Sequence, residues 1–136
     1  MTDALYTAEA AKAAIELYYV HRPRRPIVAV VYSHSHADHF GGIRGLVSDD
    51  DVRTGKVRLI APDGFLHEAV SENIIAGPAM SRRALYQFGP LLPTGERGQV
   101  DTGLGKNLSR GTVTLIAPND IVKGAYETRT IDGVEI

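Results

Sequence analysis

Residues 27–42 read Ile27-Val28-Ala29-Val30-Val31-Tyr32-Ser33-His34-Ser35-His36-Ala37-Asp38-His39-Phe40-Gly41-Gly42. The first six are continuous, apolar and rich in β-branched side chains, the mark of a central strand covered on both faces. Three histidines and an aspartate follow within six residues. Ligand sites in open α/β sheets lie just beyond the carboxyl ends of strands, so position and composition agree. His34 and His36, two apart in an extended turn, can face one ion, and Asp38 and His39, a turn later, can face a second. Gly41 and Gly42 let the backbone approach closely behind the ligands, where a Cβ would crowd the site. A surface loop that is histidine-rich by accident would not gather three of the chain's five histidines around an acid.

Working outward, residues 7–20 predict a helix. Thr7 can cap it, Glu9 suits its first turn, and Ala8, Ala11, Ile15 and Tyr18 or Tyr19 recur at helical spacing. The run His21-Arg22-Pro23-Arg24-Arg25-Pro26 ends it, because two prolines cannot continue a helix. Beyond the motif, a short helix is expected through Leu46, closing in Ser48-Asp49-Asp50-Asp51. Lys56 to Ala61 alternates as a strand, Asp63 is placed to cap a helix running to Ile75, and Ala79 to Phe88 is helical. Residues 89–111 form a long loop of the kind that more often serves function or assembly than nothing. Thr112 to Ala117 predicts a strand, and the last sixteen residues two more short ones. This order implies one α/β layered domain over residues 1–136, with helices on the sheet faces.

Composition narrows the classes. A net charge of −1 gives no field to attract nucleic acid, and no basic run suggests an anionic membrane. The chain has no cysteine, which removes disulfides and thiolate metal sites and leaves His, Asp and Glu as the strong ligands. No apolar stretch approaches the roughly 20 residues that span a bilayer. Met1 to Ala14 lacks the pattern of a secretory signal, so a cytoplasmic location is the default expectation.

The expected chemistry follows from the motif. Zinc held by neutral imidazoles and a carboxylate lowers the pKa of bound water to about 7, and two ions about 3.5–4 Å apart can share the resulting hydroxide. Asp38 would then act in catalysis through metal-bound water. His21, among arginines at a helix end, reads as solvated. His67, Glu68 and Glu72 share a helix, with His67 better suited to the surface than to a metal. Arg82 and Arg83 fit a solvated helix face, and Tyr6, Tyr86 and Phe88 fit core or interface.

The His-x-His-x-Asp-His pattern after a strand resembles the metallo-β-lactamase superfamily, an αββα sandwich with metals at one edge. The segments Ala10 to Pro23, Thr54 to Arg83 and Gly98 to Lys106, the last with Gly103-Leu104-Gly105-Lys106, look like the zinc-dependent alkyl sulfatases, or type III sulfatases. That resemblance implies two Zn2+ ions, one held by His34 and His36 and the other by Asp38 and His39. It implies hydrolysis of long-chain alkyl sulfate esters and a homodimeric assembly. It also implies that residues 1–136 are part of a sandwich truncated at both ends, with Met1 to Leu5 where a strand should lead into the first helix. Two glutamates and a histidine that complete the metal site would lie beyond the point matching Ile136. A catalytic zinc commonly has three protein ligands plus water, and the motif offers two per metal.

Two other readings stand beside this one. The motif equally suits a lactonase, a thioesterase or a glyoxalase-II-like hydrolase of the same superfamily. A non-catalytic metal-binding or interaction fragment is the other, since a partial sandwich exposes strand edges that favour pairing with another chain.

Overall fold

A computed structural model describes residues 1–103, 105 and 107–136; Leu104 and Lys106 of the Gly98–Lys106 segment lie outside the described residues. Three parallel strands form the sheet in the order β1 (Ala29–Val31), β2 (Arg58–Pro62), β3 (Asp120–Val122). Val30 pairs with Leu59, and Ile60 with Asp120. β1 carries fully buried Val30, as an apolar run predicts for a covered parallel sheet. The central β2, expected to alternate, instead buries Leu59, Ile60 and Ala61 in succession because both its faces are covered. The expected mixed α/β layering is present, with α1 (Ala8–His21), α2 (Ala37–Phe40), α3 (Asp49–Arg53), α4 (Phe65–Val70) and α5 (Gly77–Phe88) between and around the strands.

α1 starts where its sequence signals place it. The Thr7 hydroxyl accepts from the Ala10 amide at 3.3 Å, and Ala11 is its buried contact. The helix packs over a 3-10 turn, Ile43–Gly45, and the approach is so close that only glycine fits. A Cβ on Gly42 would lie 2.1 Å from the Ala4 carbonyl oxygen, and one on Gly41 would lie 2.2 Å from that of Tyr6. The glycines therefore let the N-terminal segment lie directly against the back of the histidine loop.

An aromatic cluster clamps that loop at both ends. Tyr32, just after β1, stacks on Phe65 at 4.7 Å between centroids, and Phe40, at the end of α2, meets Phe65 edge-on at 5.8 Å. All three side chains are buried. The loop between Tyr32 and Phe40 is thus anchored to α4, 25 residues downstream of Phe40.

Several boundaries differ from the sequence expectation, each for a physical reason. Residues 112–117 are extended but join no sheet ladder. Instead, the Ala8 amide donates to the Thr112 carbonyl at 2.9 Å and the Thr114 amide to the Gly41 carbonyl at 2.7 Å. Their β-forming side chains serve as a strap across α1 and the histidine loop, and the strand itself comes later, as β3. Ser48-Asp49-Asp50-Asp51 does not close a helix but opens one, with Ser48 and Asp51 forming a reciprocal capping box for α3. The cap of α4 is Gly64 at φ 78°, not Asp63, and the helix gives way to a π-turn, Ser71–Ile75, instead of continuing regularly to Ile75. Met1 to Leu5 is not wholly without strand character: Thr2 bridges Val31 in parallel, with the Val31 amide donating to the Met1 carbonyl and the Asp3 amide to that of Val31. The two expected C-terminal strands are present as a hairpin, β4 (Thr130–Ile131) and β5 (Val134–Glu135), turned by Asp132 and Gly133, both at positive φ.

Candidate metal centre

The end of β1 delivers the motif. Tyr32 continues the ladder by donating its amide to the Ile60 carbonyl, Ser33 to His36 form the loop, and Asp38 and His39 lie in α2. The three imidazoles cluster: the His34 ring centroid is 4.5 Å from that of His36 and 4.0 Å from that of His39.

Hydrogen bonds on the outer side of the cluster determine which nitrogens face inward. His39 Nδ1 lies 2.8 Å from Asp3 Oδ2. An ionised carboxylate only accepts, so Nδ1 carries the proton and Nε2 is left bare. Ser33 spends its hydroxyl proton on Asp3 Oδ2 at 2.8 Å. Its oxygen therefore accepts from His34 Nδ1 at 2.9 Å, leaving His34 Nε2 bare. His36 Nε2 lies 3.3 Å from Glu72 Oε1, a charge contact on the outer edge of its ring. Histidines arranged to bind metals have this form, the far nitrogen donating to a carboxylate or other oxygen.

The consequence is chemical. His34 Nε2 and His36 Nδ1 are hydrogen-bonded 2.9 Å apart, and with Nδ1 of His34 already donating, its Nε2 accepts from His36. A divalent cation ligated by both nitrogens would take the place of the proton between them. A second pair of donor atoms, His39 Nε2 and Asp38 Oδ2, is 3.5 Å apart. Asp38 is two-thirds exposed and His36 more than half exposed, so the cluster opens to solvent. Among the described residues no three His, Asp or Glu side chains converge on one point. The arrangement is two pairs of donors, and this donor set, two imidazoles in one pair and an imidazole with a carboxylate in the other, suits a divalent cation in each.

Asp3 organises the cluster, although sequence reasoning did not select it. It also accepts the Ser33 amide at 2.8 Å. Partial burial pushes its carboxyl pKa up, but the hydrogen bonds from His39 and Ser33 outweigh that and hold it below its ordinary value. Nothing in the sequence tied Asp3 to a motif some thirty residues away; only the bridge between Thr2 and Val31 brings it there. Glu72 and Asn73 were likewise not placed at the site. The Asn73 side-chain amide donates to the Ser35 carbonyl at 3.0 Å and to the Ala69 carbonyl at 2.8 Å.

The weaker candidates stay apart. His67 is 81% exposed and bonded to its neighbour Glu68, and His21 is exposed at the end of α1. Arg82 and Arg83 are exposed on α5. Tyr86, expected in core or interface, is 90% exposed and so not in the core. No helix among the described residues is long and apolar enough to cross a membrane.

Comparison with known proteins supplies the context. Residues 1–128 match the family model described as the metallo-beta-lactamase superfamily. The chain is 58% identical over 132 residues to a linear primary-alkylsulfatase of a Pseudomonas species, covering 97% of this chain and 20% of that protein. It is 53% identical over 133 residues to an alkyl/aryl-sulfatase of Saccharomyces cerevisiae, covering 98% and 21%. The solved structure of a stereoselective inverting sec-alkylsulfatase from a Pseudomonas species superposes with a TM-score of 0.90 at 56% identity, over 98% of this chain and 21% of the other. The chain thus spans about a fifth of the length of the relatives it matches.

Proposed function

Because the chain belongs to the metallo-beta-lactamase superfamily, whose members use metal cofactors, we propose that His34 and His36 hold one zinc ion and Asp38 and His39 a second, in a hydrolase that cleaves alkyl sulfate esters. The observation that carries the metal reading is the convergence of two ring nitrogens, His34 Nε2 and His36 Nδ1, 2.9 Å apart at the end of β1. The substrate class rests on the likeness to the alkylsulfatases. When bound, the ions would polarise the ester oxygen and supply a water acidified toward neutrality.

The chain's own residues have defined tasks in this reading. Asp3 and Ser33 orient His39 and His34 through their Nδ1 protons. Asp38, negatively charged and open to solvent, contributes a carboxylate oxygen to the second ion and faces the entering water. Residues 1–136 form one part of the catalytic domain, and the donors that raise each ion from two protein ligands toward three come from parts of the relatives' length that this sequence does not span. A homodimer belongs to the same proposal.

A chimera tests the substrate class. Residues 1–136 are placed in the linear primary-alkylsulfatase in exchange for the matching fifth. The purified product is then offered dodecyl sulfate, a thioester and a lactone. Release of sulfate alone supports the reading. Hydrolysis of the thioester or lactone without sulfate release contradicts it, and a folded, zinc-loaded chimera that hydrolyses nothing favours a non-catalytic role.

A further inference from the structure

The π-turn between α4 and α5 contributes no buried residue to the core. It is closed by the wide hydrogen bond from the Ala76 amide to the Ser71 carbonyl. Such turns sacrifice regular helical bonding and are found mostly where function requires the distortion. Here the turn brings two consecutive side chains against the histidine loop. Glu72 Oε1 lies 3.3 Å from His36 Nε2, while Asn73 ties the preceding carbonyl, Ser35, to Ala69 of α4. Residues 35 and 36 are therefore gripped on both backbone and side chain by one turn of another element.

We propose that Glu72 is a positioning residue for His36. Its carboxylate, 3.3 Å from Nε2, holds the outer edge of the ring by charge and so aims Nδ1 at the space shared with His34 Nε2, raising the affinity of the pair for a divalent cation. The inference rests on the reading of the motif side chains as metal ligands. It differs from the plain alternative, a surface contact to an imidazole more than half exposed, which adds little to stability and nothing to metal affinity. Asn73 supports the same arrangement by fixing the loop backbone so that the imidazole swings through a limited arc.

The experiment uses the chain as it stands, with zinc as the probe. Wild type, Glu72→Ala, Glu72→Gln and His36→Ala are titrated with zinc by calorimetry. The 15N shifts of the His36 ring are read in the metal-free proteins. Loss of an outer carboxylate partner commonly weakens metal binding by about 10–100-fold, and that loss is expected for Glu72→Ala. The ring signals should shift when the carboxylate is removed, with the metal-free melting temperature unchanged. Glu72→Gln keeps an acceptor oxygen and should fall between; should the alanine variant fail to fold, a weakened glutamine variant carries the test. If Glu72→Ala binds zinc as tightly as wild type with the His36 ring shifts unaltered, while His36→Ala loses the metal, the role of Glu72 is overturned and the ligand reading survives. If His36→Ala also binds as wild type, the ligand reading fails and Glu72 falls with it.

Discussion

His39 is held by Asp3 at 2.8 Å on one side of its ring and approached by Asp38 at 3.5 Å on the other, so its orientation depends on a residue outside the motif. Asp3→Ala strips the acceptor from the His39 ring, the Ser33 hydroxyl and the Ser33 amide together. Zinc affinity should then fall by about 10–100-fold in a calorimetric titration. Asp3→Asn keeps an oxygen and should lose less. The four motif side chains were legible in the sequence because they are contiguous, with a β-branched run before them and glycines after. Asp3, Glu72 and Asn73 were not, because each reaches the site through a tertiary contact that leaves no periodic or spacing signal. Asp120 shows the same limit at another place: Arg129 and Arg58 approach its carboxylate at 3.1 and 2.5 Å. The hydrogen bond from Arg129, joined by that from Arg58, holds its pKa below the ordinary value of 3.8 despite some desolvation. A depressed carboxyl stabilises the fold above its unfolded-state pKa and loses that contribution as pH falls through the folded one. The melting temperature of Asp120→Asn should therefore lie below wild type at neutral pH, and the gap should close below about pH 3.8.

Elements meet most tightly where α1 and the N-terminal segment cross the histidine loop. Gly42→Ala would drive a methyl to within 2.1 Å of the Ala4 carbonyl oxygen and 2.8 Å of the Ala11 side chain. Overpacking of this kind costs about 1–3 kcal/mol, and with backbone as the obstacle the upper end is expected in a denaturant melt. The same change should weaken zinc binding, because Gly42 cannot shift without moving α2. Most helices and the first two strands could be read from propensity, capping and period: Thr7 caps α1, and Val30 is buried where an apolar run predicted, although β2 is buried on both faces and does not alternate. Residues 112–117 misled for a definite reason. Their alternation suits a strand, but Ala8 and Gly41 offer their backbone groups first, and a local pattern does not reveal which partner wins. The π-turn was hidden similarly, since Ser71-Glu72-Asn73-Ile74-Ile75 carries ordinary helical propensity.

At the scale of the molecule, the chain has a three-stranded parallel sheet with β3 unpaired on its outer side among the described residues. An apolar groove of about 560 Å³ beside β1 is lined by Tyr18, Tyr19, Val28, Ile131 and Val134. Unpaired edges and open apolar grooves favour association. Light scattering behind size exclusion should therefore give a mass that rises with concentration; a constant monomer mass would contradict this. The α/β layering was legible from the order of helices and strands, and the tie between residues 1–3 and β1 was not. What matters most for function is whether the clustered donors take up metal. Equilibrium dialysis against zinc, for wild type and for the alanine variants of His34, His36, Asp38 and His39, measures this directly. The expected result is zinc retained by wild type and reduced in each variant, with the pair His34/His36 failing together and the pair Asp38/His39 failing together. Equal zinc in all five proteins would contradict the account.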